Sequence, residues 1–298
     1  MTSIRAMAAT ALMCAACGGN SATDSDANDG DDASGDSDAG VGGDSGSSSD
    51  SGSTGDTGST TGEKFSFFVT SLKGLQQLSG NALGFGGDLS YGETGAGAGL
   101  RGADKICAAL AESSLAGAGA KPWRAFLSVK DGGSGTQVNA IDRIGSGPWY
   151  DRLGRLLAPS VADLLGTRPA NGDATIKNDF PNEFGVPNHD PDGTGDVDNH
   201  DMLTGSSTTG KLYAADGNCL DWTANAGNKT LEGQPRVGHS WPRGTGGGGT
   251  QDSWMSSLTE SGCAPGVNLV ETGGPSNSSN TVGSGGGYGG FYCFATTP

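Results

Sequence analysis

Positive charge, aromatic side chains and long apolar runs are all scarce in this chain of 298 residues. Lys and Arg number 17 against 33 Asp and Glu, for a formal net charge of −16. Acidic charge of that kind repels phosphates, which argues against nucleic acid and anionic lipid headgroups as partners. Hydrophobic residues make up 33% and aromatics 6%, too little for one large globule unless the deficit is local. It is local. From Gly18 to Gly62 the chain is almost wholly Ser, Gly, Asp, Thr, Ala and Asn, with ten Asp and neither Lys nor Arg. Such a segment has no apolar surface to offset its ordering entropy and is expected to be disordered. From Glu63 onward 23 acids and 16 bases remain, a net of −7. That stretch of about 235 residues suffices for a single domain with its own core.

Other absences narrow the chemistry. The longest apolar segment, Ala6–Ala16, is too short to span a bilayer as a helix. Only three histidines occur, His189, His200 and His239, with no His-x-x-x-His or Cys spacing that would build a zinc site. Each is therefore expected to be a solvated loop residue. Ser240 beside His239 has no nucleophile-elbow context. The glycine runs Gly246–Gly249 and Gly285–Gly287 lack the Lys-Ser/Thr and the strand-to-helix setting of a phosphate loop. The chain is expected not to be an enzyme.

Six cysteines are present. The first two sit in Cys14-Ala15-Ala16-Cys17-Gly18-Gly19, after a positive Arg5 and the short apolar segment, so residues 1–16 read as an export signal. The sequence around Cys17 resembles the lipobox of bacterial lipoproteins, with Cys14 where a larger aliphatic residue is usual. An ordinary cleaved signal with two incidental cysteines is the alternative. The resemblance implies cleavage before Cys17, a lipid on that cysteine and a place in the bacterial cell envelope as a surface-exposed outer-membrane lipoprotein. Membrane contact would then run through the lipid anchor alone. Residues 17–63 become an acidic tether with a root-mean-square span of roughly 35–40 Å.

The domain at 64–298 opens on Lys64–Ser71, an aromatic and β-branched run expected to be a strand. A Gly-rich loop (79–99) and a helix over Arg101–Leu115 follow, with Ile106, Cys107 and Leu110 on one face. Trp123–Val129 alternates as a strand, and Val161–Leu165 reads as a helical turn. From Gly166 to Gly249 only short strands fit, and Asp252–Met255 and Tyr288–Ala295 read as closing strands. Loops this long need closure. In an exported domain Cys107, Cys219, Cys263 and Cys293 read as two disulfides, each worth roughly 4 kcal/mol. Four cysteines allow three connectivities.

The local contexts of these cysteines carry a resemblance. Gly102-Ala103-Asp104 to Cys107, then Trp123-Arg124-Ala125-Phe126-Leu127-Ser128, the Pro159-Ser160 segment between Leu156 and Leu165, Cys219-Leu220-Asp221-Trp222-Thr223, and Cys293 in an aromatic last strand follow one another in order. Together they resemble the C-type lectin-like superfamily, in particular endostatin-like domains and bacterial lectin-like lipoproteins. The resemblance covers about residues 65–298. It implies an α+β domain of two short helices, small antiparallel sheets and long loops. It further implies nested bridges, Cys107 to Cys293 and Cys219 to Cys263, with chain ends close together. The sugar motifs of calcium-dependent relatives are missing, since Gln234-Pro235-Arg236 lacks the acid and Asp252-Ser253-Trp254 is not the second motif. Their sugar site does not carry over.

Two further stretches offer candidate ligand sites. Calcium takes six to eight oxygens, and an EF-type loop supplies them from fixed positions. Asp190, Asp192, Thr194, Asp196 (through its carbonyl), Asp198 and Asp201 stand at those positions, with Gly195 at the turn. Calcium is the expected cofactor; an acidic, Asx-turn-rich surface loop is the alternative. Trp241, Trp254 and Tyr288 are candidate ligand-binding aromatics, because exposed rings stack on sugars and anchor interfaces, although a Trp in a loop-heavy domain also plugs the core. The expected function is surface recognition of an extracellular glycan or protein, with a non-catalytic assembly role in the envelope as the alternative.

Overall fold

A computed structural model describes residues 64–189, 199–242, 252–269 and 279–298. The compact unit to which they belong runs from Gly58 to Pro298. Its elements in chain order are β1 (Phe67–Val69), α1 (Leu72–Ser79), α2 (Ala98–Ser114), β2 (Trp123–Ala125), β3 (Trp149–Tyr150), β4 (Leu156–Ala158), α3 (Val161–Leu164), β5 (Asp201–Leu203), β6 (Arg236–His239), β7 (Leu258–Thr259) and β8 (Gly287–Ala295). No helix among the described residues is long and apolar enough to cross a membrane.

Strand β8 is the axis of the main sheet, ordered β1-β8-β5-β6-β7. Its aromatic C-terminal half pairs with β1 on one edge (Phe67 opposite Phe294) and with β2 on the other (Ala125 opposite Cys293), both antiparallel. Its glycine-rich N-terminal half pairs with β5 in parallel, across a register shift between Asp201 and Met202. The sheet is thus mixed, where small antiparallel sheets were expected. β3 and β4 form a separate antiparallel pair. The first and last strands of the domain lie side by side, with Ala295 N donating to Ser66 O at 2.9 Å.

Local chemistry accounts for α1 and α2. Ser71 caps α1 by accepting from Gly74 N, and Gly80 ends it in the left-handed conformation (φ 65°) that only glycine adopts without cost. In α2 the buried residues Leu100, Ala103, Ile106, Cys107, Leu110 and Ala111 recur every three to four positions and form one apolar face. The helix starts at Ala98, three residues before the position expected. Asp104 on α2 accepts from Ala125 N at 2.9 Å and from Arg143 at 2.8 Å, which ties the helix to β2. Burial pushes its carboxyl up, opposed by the Arg143 guanidinium.

Both disulfides form, Cys107–Cys293 and Cys219–Cys263. The first joins α2 to β8 across 186 residues and the second closes 44. Chain entropy alone assigns them about 5 and about 4 kcal/mol. Cys293 faces α2, so its neighbours Tyr292 and Phe294 turn to the other face of β8, where the core is aromatic. Phe126, Phe180, Tyr292 and Trp254 pack together, with ring centroids of Trp254 at 4.7 Å from Phe126 and 5.3 Å from Tyr292. Asp252–Met255, expected as a closing strand, is not one; Trp254 N donates instead to Thr167 O. Four consecutive non-glycine residues, Cys219 to Trp222, hold φ between 50° and 65°. That costs roughly 1–2 kcal/mol per residue. The cost is offset locally: Cys219 is bridged, Trp222 is buried with Nε1 on Ser128 O, and Asp221 accepts from Lys130 N and Asp131 N.

Candidate functional site

Two features stand beside each other at the N-terminal half of β8. The first is a cleft of about 480 Å³ between α1, the 182–188 segment and Tyr288. Its lining combines apolar Leu72, Phe184, Val186 and Leu269 with the amides of Gln76, Asn182, Asn188 and Asn199, and with Lys73. Phe184 is 51% exposed and stands at the rim. A cleft of this size, mostly apolar with a few fixed polar groups, matches the usual form of a small-ligand site.

The polar groups of the floor are held by one another. Tyr288 Oη shares its one proton between two acceptors, Thr70 O (2.8 Å) and Asn188 Oδ1 (3.0 Å). Asn188 Nδ2 donates to Ser240 Oγ (3.0 Å) and Asn199 O (3.2 Å), and Asn199 Nδ2 returns a bond to Asn188 O. Trp241 Nε1 donates to Asn199 Oδ1 at 2.8 Å. Nearby Glu183 receives Ser71 N (2.9 Å) and Ser71 Oγ (2.6 Å), fixing the start of α1. Burial raises the Glu183 carboxyl above the usual range against those bonds, and burial pushes the Tyr288 hydroxyl up as well.

The second feature is a buried ionisable cluster behind that floor. Asp201 and His239 are cross-strand partners of β5 and β6, so their side chains share a face. His239 Nε2 lies 3.1 Å from Asp201 Oδ1, and His200 Nε2 lies 3.5 Å from the same oxygen. The two imidazoles meet edge to face with centroids 4.2 Å apart. Ser257 Oγ is 3.3 Å from His239 Nδ1, and Arg168 donates to the carbonyls of His239 (2.6 Å) and Ser240 (2.7 Å), which anchors the end of β6. Glu260 completes the group, with Oε2 receiving Gly285 N at 2.7 Å and the Ser284 hydroxyl. Burial, and next the neighbouring Asp201 charge, push the Glu260 carboxyl well above the ordinary range. Asp201, Glu260 and His200 are fully buried and His239 is 3% exposed.

These positions correct several expectations. His200 and His239 are not solvated residues: His200 immediately precedes β5 and His239 ends β6, both buried inside the domain. Trp241, Trp254 and Tyr288 are buried, not exposed rings. Each hides a large apolar body and places its polar tip on an internal acceptor, Trp254 Nε1 on Leu164 O for example. Tyr288 alone of the three lines the cleft; Trp241 backs it, stacked on His189 at 4.0 Å. Of the expected calcium ligands, Asp190, Asp192, Thr194, Asp196 and Asp198 lie outside the described residues, as does Cys17. Asp201 faces His239 and Glu260 from β5. Glu260, Asn188 and Phe184 were not singled out from the sequence; a lone acid in Ser256-Ser257-Leu258-Thr259-Glu260-Ser261 carries no spacing signal.

No protein-family model matches this chain, and no curated protein matches it either.

Proposed function

We propose that the protein is a lipid-anchored recognition module of the bacterial cell surface, with a C-type lectin-like fold, that binds an extracellular glycan through the cleft beside Tyr288. The observation that carries this reading is the cleft itself: about 480 Å³, an exposed aromatic at its rim and amides at its floor. Amide side chains match sugar hydroxyls as donors and acceptors at once, and an aromatic face stacks on the apolar face of a sugar ring. Internal hydrogen bonds hold the floor in place before a ligand arrives, which reduces the ordering cost of binding. The superfamily assignment draws support from the helix-to-last-strand bridge, the inner bridge in the loop-rich half and the paired first and last strands.

The role proposed is binding rather than catalysis. Calcium belongs to it only in so far as the acids from Asp190 to Asp198 hold the ion, because Asp201 is turned toward His239. In that case calcium added to the metal-free chain raises the melting temperature, and no shift removes calcium from the account. A glycan array probed with the full chain tests the main reading. Binding to one glycan class supports it. A silent array with a co-purifying envelope protein instead supports an assembly role. Retention of labelled palmitate, abolished in Cys17→Ala, tests the anchor.

A further inference from the structure

We propose that His200, Asp201 and His239 form a site for a divalent first-row transition-metal ion, of which zinc is the natural probe. The three side chains each offer one donor atom, and these atoms lie within 4.8 Å of one another. A tetrahedral ion with bonds of about 2.0–2.1 Å separates its ligand atoms by about 3.3 Å. The two separations to Asp201 Oδ1, 3.1 and 3.5 Å, straddle that value. Two imidazole nitrogens and one carboxylate oxygen select such an ion over calcium or magnesium, which prefer all-oxygen shells.

The surroundings fit the same role. Ser257 Oγ stands 3.3 Å from His239 Nδ1, the ring nitrogen away from Asp201. A hydrogen bond on the far nitrogen is the usual way a protein orients a metal-bound histidine. Gly285 keeps the space beside the carboxylates open, since a Cβ there would fall 2.6 Å from Asp201 Oδ2 and 3.2 Å from Glu260 Oε1. Glu260 then stands next to Asp201 as an outer carboxylate. Because the ligands come from β5 and β6 and are buried, the ion would enter during folding and pin these strands behind the cleft floor. The competing arrangement is a protonated His239 paired with Asp201 and no metal.

The test uses the full chain without a polyhistidine tag, loaded with zinc, dialysed and analysed for metal, with parallel cobalt loading read by visible absorption. One zinc per chain is expected in the wild type and in His189→Gln, against a loss in His200→Gln and His239→Gln. Ser257→Ala is expected to weaken zinc affinity about 10-fold while the chain stays folded. The cobalt form is expected to show the strong visible bands of a tetrahedral or five-coordinate ion. A folded wild type holding well under one zinc overturns the proposal, as does a zinc that both glutamine variants retain. Should those variants fail to fold, the cobalt spectrum of the wild type decides, and a weak octahedral spectrum overturns the proposal.

Discussion

The two halves of β8 build opposite interiors from one strand. Phe291 to Ala295 bury aromatics against β1 and β2 and carry a disulfide to α2. Gly287 to Gly290 run instead past two carboxylates and two imidazoles contributed by β5, β6 and the β7 end. Burying apolar rings stabilises by about 1.5–3 kcal/mol per large side chain, whereas burying a charge costs unless it is paired. The aromatic half therefore accounts for stability without any reference to a ligand. The polar half does not, because its carboxylates and imidazoles are buried without a comparable apolar gain. The glycines make it possible: at Gly287 a Cβ would fall 2.8 Å from the backbone oxygen of Asp201, so β5 could not approach.

The contrast is broken most directly at its covalent end. Replacing Cys107 and Cys293 together by Ala is expected to cost about 5 kcal/mol, measured by urea unfolding, against about 4 kcal/mol for the Cys219/Cys263 pair. Trp254→Ala in the aromatic half follows at about 3–5 kcal/mol, since its ring packs on Phe126, Phe180 and Tyr292. Gly285→Ala, which forces a methyl against Asp201 and Glu260, is expected to cost about 1–3 kcal/mol. A cost below that of a surface substitution would mean the polar half is loosely packed.

Much of the aromatic half was legible in the sequence. Helix periodicity placed Ile106, Cys107 and Leu110 on one face, and the dense aromatics of Tyr288–Ala295 marked the last strand. The nested pairing came from the order of local motifs, not from spacing. The polar half was not legible. Nothing local brings His239 opposite Asp201, because their pairing depends on β5 and β6 being placed on β8 in register. Asp201, the last oxygen of the expected calcium loop, stands at the start of a buried strand, a placement its local sequence does not show. Likewise α1 went unread, although Ser71 and Gly80 mark its two ends.

The smallest stability effect belongs to the cleft wall. Burial raises the Glu183 carboxyl above its unfolded value. A raised folded pKa gives stability that is complete below the unfolded pKa and is lost as pH rises through the folded one. Glu183→Gln should therefore flatten the part of the stability profile that falls as pH rises above about 4.5. A difference profile between wild type and variant that stays level across that window would reject this assignment.

The most direct test of the binding account is a calorimetric titration of the glycan class selected on the array. Wild type would be compared with Phe184→Ala at the cleft rim and with Leu231→Ala, whose side chain is 69% exposed and lies outside the cleft lining. The account predicts that Phe184→Ala weakens binding at least about 10-fold, or about 1.4 kcal/mol, while Leu231→Ala leaves it unchanged. Equal affinity in all three proteins would contradict it.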